Sequence, residues 1–345
     1  MKRLCRSRPL IRSRLLRSRR SSFRVFSAFL AVPLLALGVA SAALAQGYPG
    51  KPVKIVIPYG PGGGTDNLIR LLVPSLTESM GQTIVVENRP GAATVIGTDL
   101  VAKAEPDGYT LLANDLAMVV NPGLFKEKLP FDTLRDFTGV TMMAYAPVLL
   151  VAHPSVPAKD LKELLRIAKE KPGSLNYASG GNGTSTHLAG ELMKQAAGVD
   201  ILHIPYKGTG PAMNDLLGGQ VNMQFAGIST AKQHVQSGRL RAMALTGDKR
   251  NPAMPDVPTF SEMGVKGVDA DSYWGVYAPA RTPPEIVKII NEHFVKALRK
   301  PEIAKRAAEL GYLPLANTPA EHTAQMKAMV AKWAQVIDRA HVKVD

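Results

Sequence analysis

Cysteine is nearly absent: Cys5 stands alone among 345 residues, inside an N-terminal stretch that reads as a leader. The chain beyond it therefore has neither a disulfide framework nor a thiol nucleophile. The seven histidines are scattered, none in an H-E-x-x-H pattern, and without cysteine partners they outline no zinc site. Neither a G-x-x-x-x-G-K-[ST] loop nor a G-x-S-x-G elbow occurs, which removes the nucleoside-triphosphate loop and the hydrolase elbow. Acidic residues are missing before Asp66. Past Leu44 no apolar run approaches the ~18 residues that cross a bilayer.

What the first 45 residues do contain is targeting information. Ten basic residues lie between Lys2 and Arg24, an apolar run follows from Val25 to Leu44, and it closes on Ala43-Leu44-Ala45, a small-x-small cleavage signal. Its alanine content, Pro33 and Gly38 favour a cleaved leader over a retained anchor. Residues 1–45 thus read as a signal peptide, with Gln46 first in the mature chain. No cysteine stands at the cleavage point, which argues against a lipid anchor. Ser18-Arg19-Arg20-Ser21-Ser22-Phe23 resembles a twin-arginine signal with its aromatic one place late, and both the twin-arginine and the general secretory routes stay open. The leader also distorts the charge. Ten of the 42 basic residues belong to it, leaving 32 against 28 acids, so the formal +14 becomes +4. That balance gives no electrostatic case for nucleic acid.

A mature chain of roughly 300 residues usually makes two domains, and the pattern of this one is α/β. Val53 to Ile57 is a β run that enters Pro58-Tyr59-Gly60-Pro61-Gly62-Gly63-Gly64-Thr65-Asp66. Leu68, Leu71, Leu72 and Leu76 then mark a helix face that Gly81 stops. Pro74 inside that face predicts a kink or a split. Strands are expected at Ile84 to Glu87 and Tyr109 to Ala113, with a helix over 92–104 between them, and a long strand-like run from Val140 to His153 is broken at Pro147. The pattern repeats with helix Leu161 to Lys171, strand Leu175 to Ala178, a second polar glycine loop from Ser179 to His187, and a helix stopped by Gly198. Further strands read at Ile201 to Ile204, Val221 to Phe225, Leu240 to Leu245 and Trp274 to Ala278, with a short helix from Pro211 to Leu217. Two closing helices each carry a capping-box sequence, Thr282 to Glu285 and Thr318 to Glu321.

Three consecutive glycines let the backbone curl until its N–H groups face one point, and the helix that follows adds unpaired N–H groups and the positive end of its dipole. Such a loop holds an anion by main chain. Two of these units, about 120 residues apart, suggest two lobes with a cleft between them. A dinucleotide fingerprint would need a third glycine at position 67, which is Asn67, although Glu87 sits where a ribose contact could form. A turn used for packing alone is the other alternative. Ser185 and His187 hint at hydrolysis, but two residues apart they need not face each other and no acid partner is evident; His187 reads as a capping or cleft-lining residue.

The candidate ligand-binding residues are accordingly Tyr59, Gly62, Gly63, Gly64, Thr65 and Asp66 in the first loop, and Ser179, Gly181, Asn182, Gly183, Thr184, Ser185 and His187 in the second. Arg89, Asn114, Tyr206, Lys207 and Gly227, at or just after strand ends, complete the set. Asp66 is either a first-turn residue favoured by the helix dipole or a partner for a ligand amino group, and it could pair with Asp115. Arg89 and Lys207 either face a ligand or are solvated. Tyr59, Tyr206, Phe225 and Trp274 either line the cleft or pack in the core. No residue set calls for catalysis, a metal or a cofactor.

In order and spacing, these pieces resemble the periplasmic substrate-binding proteins of tripartite tricarboxylate transporters, the Bug family. The resemblance rests on Lys51 to Pro58 with Pro61 to Asp66, Glu87 to Ala92, Pro106 to Leu112, Gly183 to Leu188, Pro205 to Gly208 with Pro211-Ala212, Asp215 to Val221, and Trp274 to Ala280. It covers essentially the whole mature chain. It implies a two-lobed, type II periplasmic-binding-protein (Venus flytrap) fold, with lobe 1 at 46–147 and 271–345, lobe 2 at 148–270, and hinges near Pro147 and between Gly247 and Tyr273. It implies that Gly62 to Asp66 and Ser179 to His187 grip a ligand carboxylate, often with ordered water. The implied function is periplasmic capture of a small organic carboxylate by a monomer, and its delivery to the membrane subunits of a transporter; partnership with a membrane receptor kinase stays open. Two positions depart from the family pattern: Ala93-Thr94 where a glycine pair is frequent, narrowing that wall of the pocket, and Arg281 where glycine is common, a surface change.

Overall fold

A computed structural model describes residues 47–340, and the predicted leader lies outside them. The first sheet is built on β1 (Val53–Ile57), buried along its length except at Lys54, as a strand covered on both faces must be. It runs parallel to β2 (Ile84–Asn88) on one side and β3 (Thr110–Asn114) on the other. Antiparallel β10 (Ser272–Pro279), β4 (Phe137–Ala146) and β11 (Leu313–Pro314) complete the order β11-β4-β10-β3-β1-β2. The second sheet takes β5 (Val148–Ala152), β6 (Asn176–Ser179), β7 (Leu202–Pro205), β8 (Met223–Gly227) and β9 (Arg241–Leu245) in the order β7-β6-β8-β5-β9. Here β6 is parallel to β7 and β8, while β5 is antiparallel to β8 and β9. Pro147, which has no N–H for a ladder, is the one residue between β4 in the first sheet and β5 in the second. The chain returns to the first sheet within 246–271.

Ten α-helices cover the sheets among the described residues: α1 (Gly64–Met80), α2 (Val95–Ala102), α3 (Ala117–Phe125), α4 (Leu161–Glu170), α5 (Ser185–Ala197), α6 (Thr209–Leu217), α7 (Ile228–Gln236), α8 (Pro284–Leu298), α9 (Pro301–Glu309) and α10 (Pro319–Ala340). Several differ from the sequence expectation. α1 is one helix through Pro74; that residue is exposed, so the carbonyl that loses its partner lies on the wet side of the helix. α2 starts at Val95 rather than at position 92, because Ala92, Ala93 and Thr94 have φ of 45°, 51° and 75°, a left-handed turn that a right-handed helix cannot include. α3 and α7 were not anticipated, and three helices rather than two close the described chain.

The two capping-box sequences also part ways. At α10 the box forms: Thr318 N–H donates to Glu321 Oε2 at 2.8 Å and Glu321 N–H donates to Thr318 Oγ1 at 3.3 Å. At α8 the cap position falls to Pro283, no side chain caps the helix, and the buried Thr282 hydroxyl has no hydrogen-bond partner.

Three apolar clusters hold the layers. Ile55, Ile57, Leu68 and Leu72 pack with Ile290 and Phe294 of α8 on one face of the first sheet. Leu149, Val151, Leu216 and Ile228 do the same for the second. The third runs between the sheets, from Val56 and Leu112 to Leu150 and Phe225, with Met326 and Trp333 of α10 in it.

Candidate functional site

Strands β1, β3, β6, β7 and β8 send the loops at their carboxyl ends to one place, the position where α/β sheets present binding loops. The cavity there is small, about 30 Å³. Four helices begin at it. Gly64 and Thr65 open α1, Ser185 and Thr186 open α5, Thr209 opens α6, and Gly227 is the N-cap of α7. Each start carries N–H groups without intrahelical partners and the positive end of a dipole. Among the described residues no lysine or arginine lines the cavity, and the one charged residue in its lining is Asp115. A space surrounded by helix N-termini and hydroxyls recognises negative charge by backbone.

The first loop is fixed from behind. Gly63 caps α1 without a side chain, which leaves its N-terminal N–H groups free to face the cavity. Asp66 turns away: its carboxylate takes the Gly62 N–H and Arg70 Nε, both at 2.9 Å, and Asn88 Nδ2 at 3.1 Å. Burial works against its charge, but these donors outweigh burial and hold the carboxyl below the usual range. The Tyr59 hydroxyl lies 3.0 Å from Asn114 Oδ1 and bonds Asp115 Oδ1. Burial, then the charge of Asp115, keep this phenol well above its normal pKa. Trp274 stands against Gly64, where an added Cβ would come within 3.0 Å of the indole.

The second loop is held by its own side chains. Thr184 caps α5 by accepting the His187 N–H and donates to Gly181 O at 2.7 Å, and the Gly180 N–H donates to Thr186 Oγ1 at 2.9 Å. Ser185 Oγ meets Ser272 Oγ at 2.5 Å, a bond from this loop to β10. His187 lies behind the loop; its Nδ1 accepts the Gly183 N–H at 3.2 Å and its ring stacks on His203 at 4.4 Å. Ser185 and His187 are thus engaged separately, not as nucleophile and base. His203 in turn bonds Ser179 Oγ at 2.7 Å, and burial, with His187 nearby, pushes its pKa down to about 3.

Of the residues expected in the site, Tyr59, Gly63, Gly64, Thr65, Thr184, Ser185 and Gly227 line the cavity. Gly181, Asn182, Tyr206 and Lys207 line a neighbouring compartment of about 130 Å³ that shares Tyr59, Gly180 and Thr184 with the first. Asp66, Asn114, Ser179, Gly183 and His187 are buried outside the cavity lining, and Gly62 is exposed. Arg89 is exposed and paired with Glu87, which also takes Lys54 Nζ at 3.0 Å, so neither acid nor base of that group reaches the cavity. This also removes Glu87 from the ribose role in the dinucleotide alternative. Phe225 packs in the core against Tyr177. Gly180 and Thr186, which also line the cavity, belong to the expected Ser179 to His187 loop; Thr209 and Ser272 were not anticipated, and Asp115 was considered only as a partner for Asp66. The rule that ligands meet strand carboxyl ends would have found Asp115 after β3 and Thr209 after β7; Ser272, at the start of β10, carries no such signal.

The two sheets meet closely at this site. Gly60 N–H donates to Lys207 O at 2.7 Å, and Tyr312 Oη lies 2.8 Å from both Gly64 O and Ser229 Oγ. An added Cβ on Gly60 would sit 2.9 Å from Lys207 O, and one on Gly210 would collide with Pro61 O.

The sequence profile of the family described as "Tripartite tricarboxylate transporter family receptor" matches residues 68–342. BugT of Bordetella pertussis is 35% identical over 318 residues, 92% of this chain and 98% of BugT. Among solved structures, the periplasmic binding protein BugD is 36% identical with a TM-score of 0.83, covering 86% of this chain and all of that one. The R. palustris protein Rpa4515, solved with adipate, is 32% identical at the same TM-score and coverage. With the α/β sheets, the cavity at their carboxyl ends and these matches together, the chain belongs to the receptor family of tripartite tricarboxylate transporters and, within it, to the Bug proteins.

Proposed function

We propose that this chain is a periplasmic solute-binding protein that captures a small organic carboxylate between its two lobes and delivers it to the membrane subunits of a tripartite transporter. The observation that carries the proposal is the convergence of four helix N-termini on a cavity that, among the described residues, has no cationic side chain in its lining. An enzyme acting on a carboxylate needs a nucleophile or an acid–base pair beside it; Ser185 is bonded to Ser272 and His187 sits behind its loop. Each main-chain N–H to a carboxylate is charge-assisted and contributes about 1.5–3 kcal/mol, so a few shared between lobes shift an open–closed equilibrium decisively. Relatives support the ligand class: Rpa4515 is solved with adipate. Export follows from the leader at 1–45, with lobe 1 at 46–147 and 271–345 and lobe 2 at 148–270.

The test is a thermal-shift panel of mono-, di- and tricarboxylates, aromatic acids and acidic amino acids on protein freed of ligand by unfolding and refolding. A binder at 100 times its Kd adds ~2.7 kcal/mol. Stabilisation by at least one carboxylate is expected; a flat response across the panel would sink the proposal.

A further inference from the structure

We propose that Asp115 makes this site select carboxylates that also carry a protonated amine, that is amino acids or close zwitterionic relatives, over plain aliphatic dicarboxylates. Asp115 follows β3 and lines the cavity among helix N-termini. Both of its hydrogen bonds, from the Tyr59 hydroxyl and from the Ala117 N–H at 2.9 Å, enter Oδ1. No lysine, arginine or histidine forms an ion pair with it among the described residues. Asp66 shows the contrast: three donors, one of them Arg70, saturate that carboxylate and turn it out of the cavity.

A cavity that recognises a carboxylate therefore has a second carboxylate in its wall, without a counter-ion. Burial pushes the Asp115 pKa up to about 6, against the pull of its two donors. A dicarboxylate brings its second negative charge into this low-dielectric space, and the pair repel. An ammonium group supplies both the missing charge and donors for Oδ2, so one ligand satisfies the helix N-termini with its carboxylate and Asp115 with its amine. A hydroxyl offers a donor without the charge and falls between the two.

The inference presupposes that the cavity takes a carboxylate, and its test separates the two. Ligand-free protein is titrated calorimetrically at pH 7.5 with the pairs aspartate and succinate, glutamate and glutarate, and alanine and propionate, with malate as the hydroxyl probe. In at least one pair the amine-bearing member is expected to bind about tenfold or more tightly than its partner. Asp115→Asn, which keeps size and loses charge, is expected to bring that ratio within about threefold. Circular dichroism confirms its fold, and should it not fold, the wild-type ratios alone decide. Plain acids binding as tightly as their amines, or a ratio unchanged in Asp115→Asn, overturns the inference and leaves the carboxylate function standing. Failure of every acid in these pairs to bind also overturns the inference, and the carboxylate function falls with it only if the tricarboxylates and aromatic acids of the wider panel fail as well.

Discussion

Two histidines are buried without their charge. His322 is fully buried, neither ring nitrogen has a hydrogen-bond partner, and burial pushes its pKa down to about 3. His203, stacked between Tyr177 and His187, is held down to about 3 as well. In the unfolded chain both titrate near 6.5. Between that value and about pH 3 the unfolded state therefore binds more protons than the folded one, and stability falls as pH drops through this window. Asp115 works in the opposite sense: with its pKa raised to about 6, the folded state gains protons first, and acidification below about 6 relieves a buried charge. Asp271, also raised by burial, acts with Asp115, while Asp66 and Asp136, held low by their hydrogen-bond donors, act with the two histidines and tip the balance. Melting temperature should fall between pH 7 and pH 4, and His322→Leu, which replaces an unsatisfied ring by an apolar side chain, should flatten that fall by an amount on the order of 1–4 kcal/mol. A steeper fall in the variant would contradict this. For binding, Tyr59 and Tyr277 also face Asp115, and burial keeps both phenols neutral in this range. Affinity for an amino carboxylate should therefore rise from pH 5 to 7 with the ionisation of Asp115, and affinity for a plain dicarboxylate should drop.

At the scale of elements, helix starts decide both stability and closure. Thr318→Ala removes a formed capping box and should destabilise by about 1 kcal/mol in urea unfolding. Thr282→Val, at the box that does not form, should be neutral or slightly stabilising, since it removes a buried hydroxyl with no partner. Equal costs at the two sites would contradict the difference in caps. The start of α6 packs on the first loop with no room for a side chain at Gly210. Gly210→Ala should raise the Kd of any ligand about tenfold or more while the melting temperature of the ligand-free protein stays unchanged, because the clash arises only where the lobes meet. These elements were unequally legible in the sequence. β1 with its glycine loop and α5 with its Gly198 stop were readable because loop chemistry and apolar periodicity agree there. α3 was not: Ala117–Phe125 is apolar on nearly every side, so it has no periodic face to recognise. The left-handed turn at Ala92 to Thr94 was hidden as well, because three non-glycine residues rarely adopt positive φ and only their surroundings hold them there.

At the scale of the molecule, the two sheets are joined by one proline and one return segment, with a seam of backbone contacts across the cleft. The two glycine loops proposed as the halves of the grip were legible in the sequence. The sequence could not reveal Ser272 as their neighbour, since that residue meets the loops only when β10 inserts between β3 and β4 and the sheets face each other. The arrangement predicts a hinge motion: ligand-free protein should show a larger radius of gyration in solution scattering than the liganded form, and identical radii would argue against closure on the ligand. The most direct measurement is a crystal structure with whichever carboxylate stabilises the protein most. It should place a carboxylate oxygen about 2.7–3.1 Å from backbone N–H groups at both the Gly63–Thr65 and the Thr184–Thr186 helix starts, with no lysine or arginine in contact. A carboxylate held instead by a cationic side chain such as Lys207 or Arg89, away from those helix starts, would contradict the account.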